Sequence, residues 1–251
     1  MTKKIFLFDN DGTLTTSGAR ASPEITRVLV AFADKFKMAI VTGSTWEDIR
    51  LLHDEAFLTH PSAEFALDMG SKVYSRGALV FERPSGVDFE TFRPHMEHIL
   101  ANVPMKYGKH DFPEKTRVAN RINFTTLGRL AGSVNPPPEI CADYAAWDKQ
   151  NGQRAWIIDY LEKHYPGHEI TLGGGISIDI TKEGCGKDQA VGYYRRRGYD
   201  SFFYFGDRIG VLGNDNAIAH GIVDAGGTVF AVESPAHTAR IMRSIMENEQ
   251  P

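Results

Sequence analysis

Cysteine is scarce in this chain, which has Cys141 and Cys185 as its two thiols in 251 residues. Two thiols cannot form the disulfide framework of a small secreted protein, so we expect buried or incidental cysteines in a cytoplasmic protein. No apolar run approaches the roughly 20 residues that a membrane-spanning helix needs. The formal net charge of −4 gives no reason to expect a polyanion such as DNA as partner. We therefore expect a partner that is neither nucleic acid nor membrane.

What the sequence does contain near its beginning is a regular succession of strand and helix patterns. Lys4–Phe8 is short, apolar and aromatic, as in a buried strand, and Lys37–Val41 is predicted to be a second one. Between them, the apolar spacing from Pro23 to Lys37 predicts a helix with Ser22 as its N-cap. Thr45–Glu55 is predicted to be helical as well. This order indicates an α/β domain with a parallel sheet.

The middle of the chain, from about residue 81 to residue 180, has a different pattern. Proline and glycine cluster in the sequence RPSG, which we interpret as a hinge. In the sequence ISID, isoleucines alternate with Ser177 and Asp179, which predicts a strand in a sheet with one face open to water. These features indicate a separate α+β module inserted into the first domain. Its other predicted elements are helices over Phe89–Ala101 and Gly152–His164 and a polar strand over Arg117–Thr125.

After residue 180 the α/β pattern returns. The predicted elements are a helix over Lys187–Arg197, strands over Ser201–Phe205 and Thr228–Val232, and a helix over His237–Glu249. We therefore predict a core domain formed by residues 1–83 and 181–251. Residues 84–180 are predicted to form the inserted domain, with the sequences RPSG and TKEGCG as the two hinges.

Polar side chains follow three of the predicted core strands. Asp9 and Asp11 follow FLF, Thr42 and Ser44 follow AIV, and Asp207 follows FFYFG. Parallel strands would bring these groups to one edge of the sheet, which is where such sheets bind ligands. Lys187 opens the helix before the last of these strands and is expected at the same edge. Because buried carboxylates are costly without a partner, we expect Lys187 and a cation to offset their charge.

These residues, in this order, resemble the motifs of the haloacid dehalogenase-type phosphotransferase superfamily. The sequence DNDGT matches its DxDxT nucleophile motif, Thr42 its strand-end Ser/Thr, Lys187 its lysine and GDRIGVLGND its acidic final motif. The resemblance implies an α/β fold, with a Rossmann-like three-layer parallel-sheet core. It also implies an inserted α+β (C2-type) cap domain that closes over the core.

The same resemblance implies an enzyme that works through an aspartyl phosphate. Asp9 would be the nucleophile and Asp11 the general acid and base. Mg²⁺ would bind to the Asp9 side chain, the Asp11 backbone carbonyl and Asp207. Thr42 and Lys187 would donate hydrogen bonds to the transferring phosphoryl group. Asn214 and Asp215 are expected to orient the metal-bound water or the Lys187 ammonium. Gly12 is expected to let the chain turn, and Thr13 to secure that turn by hydrogen bonding.

The inserted part is similar to a narrower family, the eukaryotic-type phosphomannomutases. RINFTTLGR and GGGISIDITKEGCGK match its cap and core motifs, NxSxxGR and GGxISxDxxxxGxxK. GDRIGVLGND matches its spaced GD…GGND motif, with Leu212 in place of the first glycine of the pair. The resemblance implies that cap residues bind the sugar and its second phosphate: Asn123, Arg129, Ser177 and Asp179, with Arg121 as an additional arginine and Arg117 as another candidate for that place.

The sequence leaves the phosphate donor and the phosphoryl acceptor open. TGST stands where that family has GGSD, so the donor after the second strand is Thr42 or Ser44. A phosphohexomutase acting on mannose or glucose phosphates would return the phosphoryl group to the sugar. A phosphatase acting on a sugar phosphate or a phosphorylated sugar acid would pass it to water. The remaining hypothesis is a non-catalytic binding protein, and the intact set of motif residues argues against it. The mutases are dimers through their caps, so the resemblance also suggests a homodimer.

Overall fold

The computed structural model describes residues 2–16, 18–84, 86–107, 116–118, 121–126, 137–173 and 175–248. The chain divides into two compact units. The core unit comprises residues 1–84, 185–211 and 215–251, and the inserted unit comprises residues 85–184 together with 212–214. Within the described ranges, no helix is both long and apolar enough to span a membrane.

Strands and helices alternate along most of the chain, and some strands follow one another directly. Their bounds are β1 Lys4–Phe8, α1 Pro23–Lys35, β2 Met38–Val41, α2 Trp46–Leu52, α3 Glu55–Leu58, β3 Ala63–Leu67, β4 Lys72–Ser75, β5 Ala78–Glu82, α4 Phe89–Asn102, β6 Thr116–Val118, β7 Ile122–Thr125, α5 Pro138–Asn151, α6 Gln153–His164, β8 His168–Gly173, β9 Ser177–Lys182, α7 Gln189–Arg196, β10 Ser201–Gly206, α8 Asn216–Asp224, β11 Thr228–Ala231 and α9 Pro235–Asn248.

The core unit is built on one seven-stranded sheet, in the order β11-β10-β1-β2-β3-β4-β5. The pairs from β11 to β3 are parallel, and β4 and β5 extend the sheet as antiparallel strands. Since β1 lies between β10 and β2, the segments that follow three parallel strands meet at one edge. The predicted α/β class with a mainly parallel sheet is confirmed.

Side chains of β1 alternate between two apolar layers, which is why the strand is buried on both sides. Phe6 and Phe8 pack in the layer that includes Phe32 of α1, whereas Ile5 and Leu7 pack in the layer that includes helices α7 and α8. Helices therefore cover both faces of the sheet, and the core unit has three layers.

The first two predicted helices differ from the structure at their ends. Ser22 caps α1 as predicted, since its Oγ accepts a hydrogen bond from the Ile25 N–H at 3.2 Å. The helix ends at Lys35 rather than Lys37 because Phe36 is extended and packs its ring against that of Phe6. The helix predicted over Thr45–Glu55 is present as α2 but ends at Leu52, and extended backbone at His53 separates it from α3.

The inserted unit has a four-stranded sheet in the order β6-β7-β9-β8, and all of its pairs are antiparallel. The prediction of one strand over Arg117–Thr125 was wrong, because β6 and β7 pair with each other, Thr116 opposite Phe124. Helices α4 and α6 pack on one face of this sheet through an apolar cluster that includes Met96, Ile157 and Ile178. Strand β9 continues to Lys182, beyond the predicted boundary at residue 180.

Candidate active site

Asp9 stands at the carboxyl end of β1, directly after the buried sequence FLF. Its backbone N–H donates to the carbonyl of Phe205 at 2.8 Å, which continues the parallel ladder between β1 and β10 by one more residue. The side chain of Asp9 is buried. The hydrophobic strand thus carries a carboxylate to the sheet edge and holds it out of water.

The loop after Asp9 is closed by hydrogen bonds to the carbonyl of Asn10. The N–H groups of Thr13, Leu14 and Thr15 donate to that oxygen at 3.3, 2.8 and 3.0 Å. Gly12 has a φ of +86°, and a Cβ on it would collide with the Asp207 carboxylate. Thr13 thus helps to secure the turn through its backbone N–H, whereas its Oγ1 is buried without a hydrogen-bond partner among the described residues. The peptide groups of the loop supply these three bonds.

Lys187 lies fully buried between two carboxylates. Its Nζ is 2.5 Å from Asp9 Oδ1 and 2.7 Å from Asp215 Oδ1. The Tyr204 hydroxyl donates to Asp215 Oδ1 at 2.6 Å, and the Arg208 N–H donates to Asp215 Oδ2 at 3.1 Å. Asp215 therefore anchors the ammonium while its own oxygens are both satisfied.

The charges and burial around Lys187 shift the pKa values of the two carboxyl groups in opposite directions. Burial alone would lower the pKa of Lys187, but the facing Asp215 and Asp9 raise it, so the ammonium is kept. Burial alone would raise the pKa of Asp215, but the charge and hydrogen bond of Lys187 hold it below its usual range. Burial and repulsion from Asp215 raise the pKa of Asp9 to about 8. Lys187 thus neutralises Asp215 first, and the ionised form of Asp9 needs further positive charge.

Asp207 supplies a third carboxylate at the same edge. Asp9, Asp207 and Asp215 each offer one oxygen, and these oxygens lie within 4.8 Å of one another. Asp207 Oδ1 is buried without a hydrogen-bond partner in the described structure, and burial raises the pKa of Asp207 despite the nearby Arg208 guanidinium. A hard divalent cation prefers carboxylate oxygens as ligands. Asp207 offers such an oxygen, without a partner among the described residues, beside the carboxylate of Asp9. The residues present therefore fit such an ion.

Asp11, Thr42 and Ser44 lie in the loops that follow β1 and β2, and Asn214 belongs to the inserted unit. Asp11 Oδ1 accepts a hydrogen bond from the Gly18 N–H at 3.0 Å, within the loop that follows β1. The Ser44 N–H donates to Thr42 Oγ1 at 3.3 Å, and the two hydroxyls are 3.4 Å apart. Thr42 and Ser44 therefore form one polar group after β2. Asn214 Oδ1 is buried without a partner among the described residues.

The sequence did not identify Tyr204 as a site residue, and Leu212 departs from the family motif. The Tyr204 hydroxyl is nevertheless the one polar side-chain group in the sequence FFYF. Leu212, which replaces a family glycine, has a φ of +97°, in the left-handed region that favours glycine. The backbone shape expected of a glycine is thus kept at a leucine, and some strain follows from it.

In the inserted unit, β7 and β9 bring four of the predicted cap residues together. Asn123 Nδ2 donates to Ser177 Oγ at 3.0 Å and to Asp179 Oδ1 at 2.7 Å. Arg121 forms an ion pair with the same Asp179 oxygen, and Ser177 donates to the carbonyl of Gly173. Asp179 Oδ2 has no hydrogen-bond partner in the described part of the chain.

The prediction that Ser177 and Asp179 lie on a wet face was wrong. Ser177 is 5% exposed and Asp179 is 1% exposed, because hydrogen bonds and the ion pair with Arg121 replace water around them. Arg129 lies outside the described residues, as does the side chain of Arg117, whose backbone is part of β6. The described cap cluster thus consists of Arg121, Asn123 and their two partners.

Comparison with known proteins agrees with this site. Residues 97–248, more than half of the chain, match the family model of eukaryotic phosphomannomutase. The chain is 26% identical over 251 residues to a phosphomannomutase of Saccharomyces cerevisiae, covering 96% of this chain and 93% of the yeast protein.

Solved structures with low sequence identity share the fold. The IMP-bound IMP-nucleotidase of Plasmodium falciparum aligns with a TM-score of 0.66 at 14% identity, over 98% of this chain and 68% of that one. A haloacid dehalogenase-like hydrolase of Bacteroides thetaiotaomicron aligns with a TM-score of 0.60 at 11% identity, over 97% and 100%. Because the family model matches residues 97–248, and the fold and motifs agree with it, the chain belongs to the eukaryotic phosphomannomutase family.

Proposed function

We propose that this protein is a phosphohexomutase that converts mannose or glucose 6-phosphate to the 1-phosphate through a sugar bisphosphate. The observation that carries the proposal is the 2.5 Å contact between the buried Asp9 carboxylate and the Lys187 ammonium, in a chain of the phosphomannomutase family. Lys187 holds one oxygen of Asp9, which leaves the other for attack on phosphorus.

Mg²⁺ is the proposed cofactor, and its ligands would be the side chains of Asp9 and Asp207 and the backbone carbonyl of Asp11. The unpartnered oxygen of Asp207 supports this choice. Asp215 is not proposed as a ligand, because its oxygens already accept hydrogen bonds from Lys187, Tyr204 and Arg208. The ion would offset the repulsion between an anionic nucleophile and an anionic phosphate.

The proposed reaction moves one phosphoryl group away from the sugar and back again. Asp9 attacks a phosphorus of the hexose bisphosphate, the bond from that phosphorus to the sugar oxygen breaks, and Asp11 gives a proton to the oxygen. The monophosphate then reorients and its other oxygen attacks the aspartyl phosphate, while Asp11 takes the proton back. Lys187, with Thr42 or Ser44, would donate hydrogen bonds to the phosphoryl oxygens in both steps.

The inserted unit is proposed to hold the phosphate that is not reacting. Arg121 offers N–H donors beside the buried Asp179 carboxylate, which fixes the orientation of both the guanidinium and the Asn123 amide. A guanidinium suits a phosphate because it can donate two parallel hydrogen bonds. Asp179 and Ser177 would bind sugar hydroxyls, and Arg129 would add a second guanidinium. The family resemblance further supports a homodimer through this unit and a cytoplasmic location.

The test is to incubate the protein with Mg²⁺, mannose 1-phosphate and a trace of glucose 1,6-bisphosphate, and to measure both the 6-phosphate and inorganic phosphate. We expect the 6-phosphate to form without an equal release of inorganic phosphate. The matched control is Asp9→Asn, which keeps the side-chain volume and removes the nucleophile, and which should form neither product.

Two outcomes would contradict the proposal. Inorganic phosphate without the 6-phosphate would identify a phosphatase. A folded protein that turns over neither the sugar phosphate nor a simple aryl phosphate would favour the non-catalytic hypothesis.

A further inference from the structure

Asn10, which lies between the two motif aspartates, has a fully buried side chain. Its Nδ2 donates to Thr15 Oγ1 at 3.2 Å. Its backbone carbonyl is the acceptor for three consecutive N–H groups of the loop, as described above. The shape of the loop that carries Asp9 and Asp11 therefore depends on how Asn10 is held.

His53 is the residue that holds the other end of the Asn10 side chain. Its Nε2 is 2.8 Å from Asn10 Oδ1, although 43 residues separate the two along the chain. Because Nδ2 of Asn10 already serves Thr15, Oδ1 is the acceptor here and Nε2 of His53 carries the proton. His53 is 2% exposed, and the centroid of its ring lies 5.5 Å from that of Phe57. The residue directly follows α2, and its backbone N–H donates to the carbonyl of Ile49 in that helix.

The contact is independent of pH over a wide range. Burial lowers the pKa of His53 to about 4, and the partly opposing charge of Asp54 does not outweigh it. The imidazole is therefore neutral near pH 7 and remains a donor at Nε2. These buried hydrogen bonds favour one arrangement of the two side chains, because breaking either would leave a polar group without water.

We infer that His53 is a positioning residue for the nucleophile loop. It touches neither phosphate nor nucleophile. Instead it fixes the Asn10 amide, and through Asn10 the backbone that presents the Asp9 carboxylate and the Asp11 carbonyl. The inference rests on the proposed chemistry at Asp9 for its effect on turnover, but its structural part concerns the loop alone.

The experiment compares His53→Phe with wild type by hydrogen–deuterium exchange of residues 10–16 and by hydrolysis of p-nitrophenyl phosphate with Mg²⁺. We expect the Thr13, Leu14 and Thr15 amides to exchange at least tenfold faster in the variant. We also expect kcat to fall about 10- to 100-fold, which is the usual effect of losing a residue that orients a metal ligand through a hydrogen bond. KM should change less than about twofold.

Three further variants separate positioning from packing. His53→Gln keeps an N–H donor and should recover most of both the protection and kcat. His60→Phe is the matched control, since this histidine pairs with Asp34 away from the loop and its loss should leave both readouts unchanged. If His53→Phe does not fold, the double variant His53→Leu with Asn10→Leu leaves no buried amide unsatisfied and should still show faster loop exchange.

Unchanged loop exchange and unchanged kcat in a variant that only melts at a lower temperature would overturn the inference, because His53 would then be a packing residue. If wild type turns over neither the aryl phosphate nor mannose 1-phosphate with a trace of glucose 1,6-bisphosphate, the proposed function fails, whereas the exchange measurement still decides the role of His53.

Discussion

Lys187 Nζ lies 2.5 Å from Asp9 Oδ1 and 2.7 Å from Asp215 Oδ1, so a single buried ammonium faces two buried carboxylates. Asp215 has two further donors, Tyr204 and Arg208, whereas Asp9 shares Lys187 with it. Asp9 is therefore the carboxylate whose ionisation depends most on what else binds at the edge of the sheet.

Removing the ammonium should destabilise the fold as well as abolish turnover. Lys187→Met leaves both carboxylates buried without their shared partner, and we expect the free energy of unfolding at pH 7.5 to fall by about 3–5 kcal/mol. Urea unfolding followed by circular dichroism measures this loss. Lys163→Met, which breaks an exposed pair with Asp159, is the control and should change stability little. Equal effects of the two variants would contradict the buried pairing.

The stability of the metal-free protein should depend on pH through Asp9. Its pKa is raised in the folded state, so the stabilisation that it gives is complete below the unfolded pKa near 4 and is lost as pH rises toward about 8. Asp9→Asn cannot ionise and should therefore melt higher than wild type in EDTA, with a gain that increases from pH 5 to pH 8. Thermal denaturation at three pH values measures the gain, and parallel curves for the two proteins would refute it.

Mg²⁺ should stabilise wild type and should do so through Asp207. At 100 times Kd a ligand that binds only the folded state adds about 2.7 kcal/mol, which raises Tm measurably. In Asp207→Asn the orphaned carboxylate oxygen is replaced by a neutral amide, and most of the Mg²⁺-induced rise in Tm should disappear. A titration of Tm against Mg²⁺ compares the two proteins. A full response in the variant would exclude Asp207 as a ligand.

Gly12→Ala should lower the free energy of unfolding by more than the strain of a positive φ at alanine explains. Gly12 has positive φ, and a Cβ on it would collide with the Asp207 carboxylate. Gly77 has a similar φ of +78° in open space, so Gly77→Ala reports the conformational cost by itself, about 1–2 kcal/mol. We expect Gly12→Ala to be the more destabilising of the two and also to weaken the Mg²⁺ response. Urea unfolding with and without Mg²⁺ tests both parts, and equal costs would contradict the close approach.

Arg121→Ala should separate sugar binding from phosphoryl chemistry. The guanidinium is proposed to hold the distal phosphate, so KM for the sugar bisphosphate should rise at least about tenfold. Hydrolysis of an aryl phosphate, which has no distal phosphate, should be unaffected. Arg195→Ala, at an exposed arginine of α7, is the control of equal charge. A parallel loss on both substrates would mean that Arg121 supports folding rather than distal binding.

Local sequence patterns were sufficient for much of the core unit. The short apolar run of β1, the cap at Ser22 and the apolar spacing of α1 are short-range features, and each reflects packing or hydrogen bonding within a few residues. The break between α2 and α3 and the hairpin of β6 and β7 were missed. Both depend on where the chain must reverse, and a pattern of polar and apolar residues does not specify that alone.

The sequence by itself determined that carboxylates would emerge at the edge of a parallel sheet, because buried apolar strands end in Asp9 and Asp207. The tertiary structure decided the partners of those carboxylates. Lys187 reaches Asp9 across 178 residues and Asn10 meets His53 across 43, and Asp179 is buried where alternation predicted water. Such pairings depend on which strands become neighbours and on how each buried charge is satisfied, which are properties of the assembled fold rather than of any local segment.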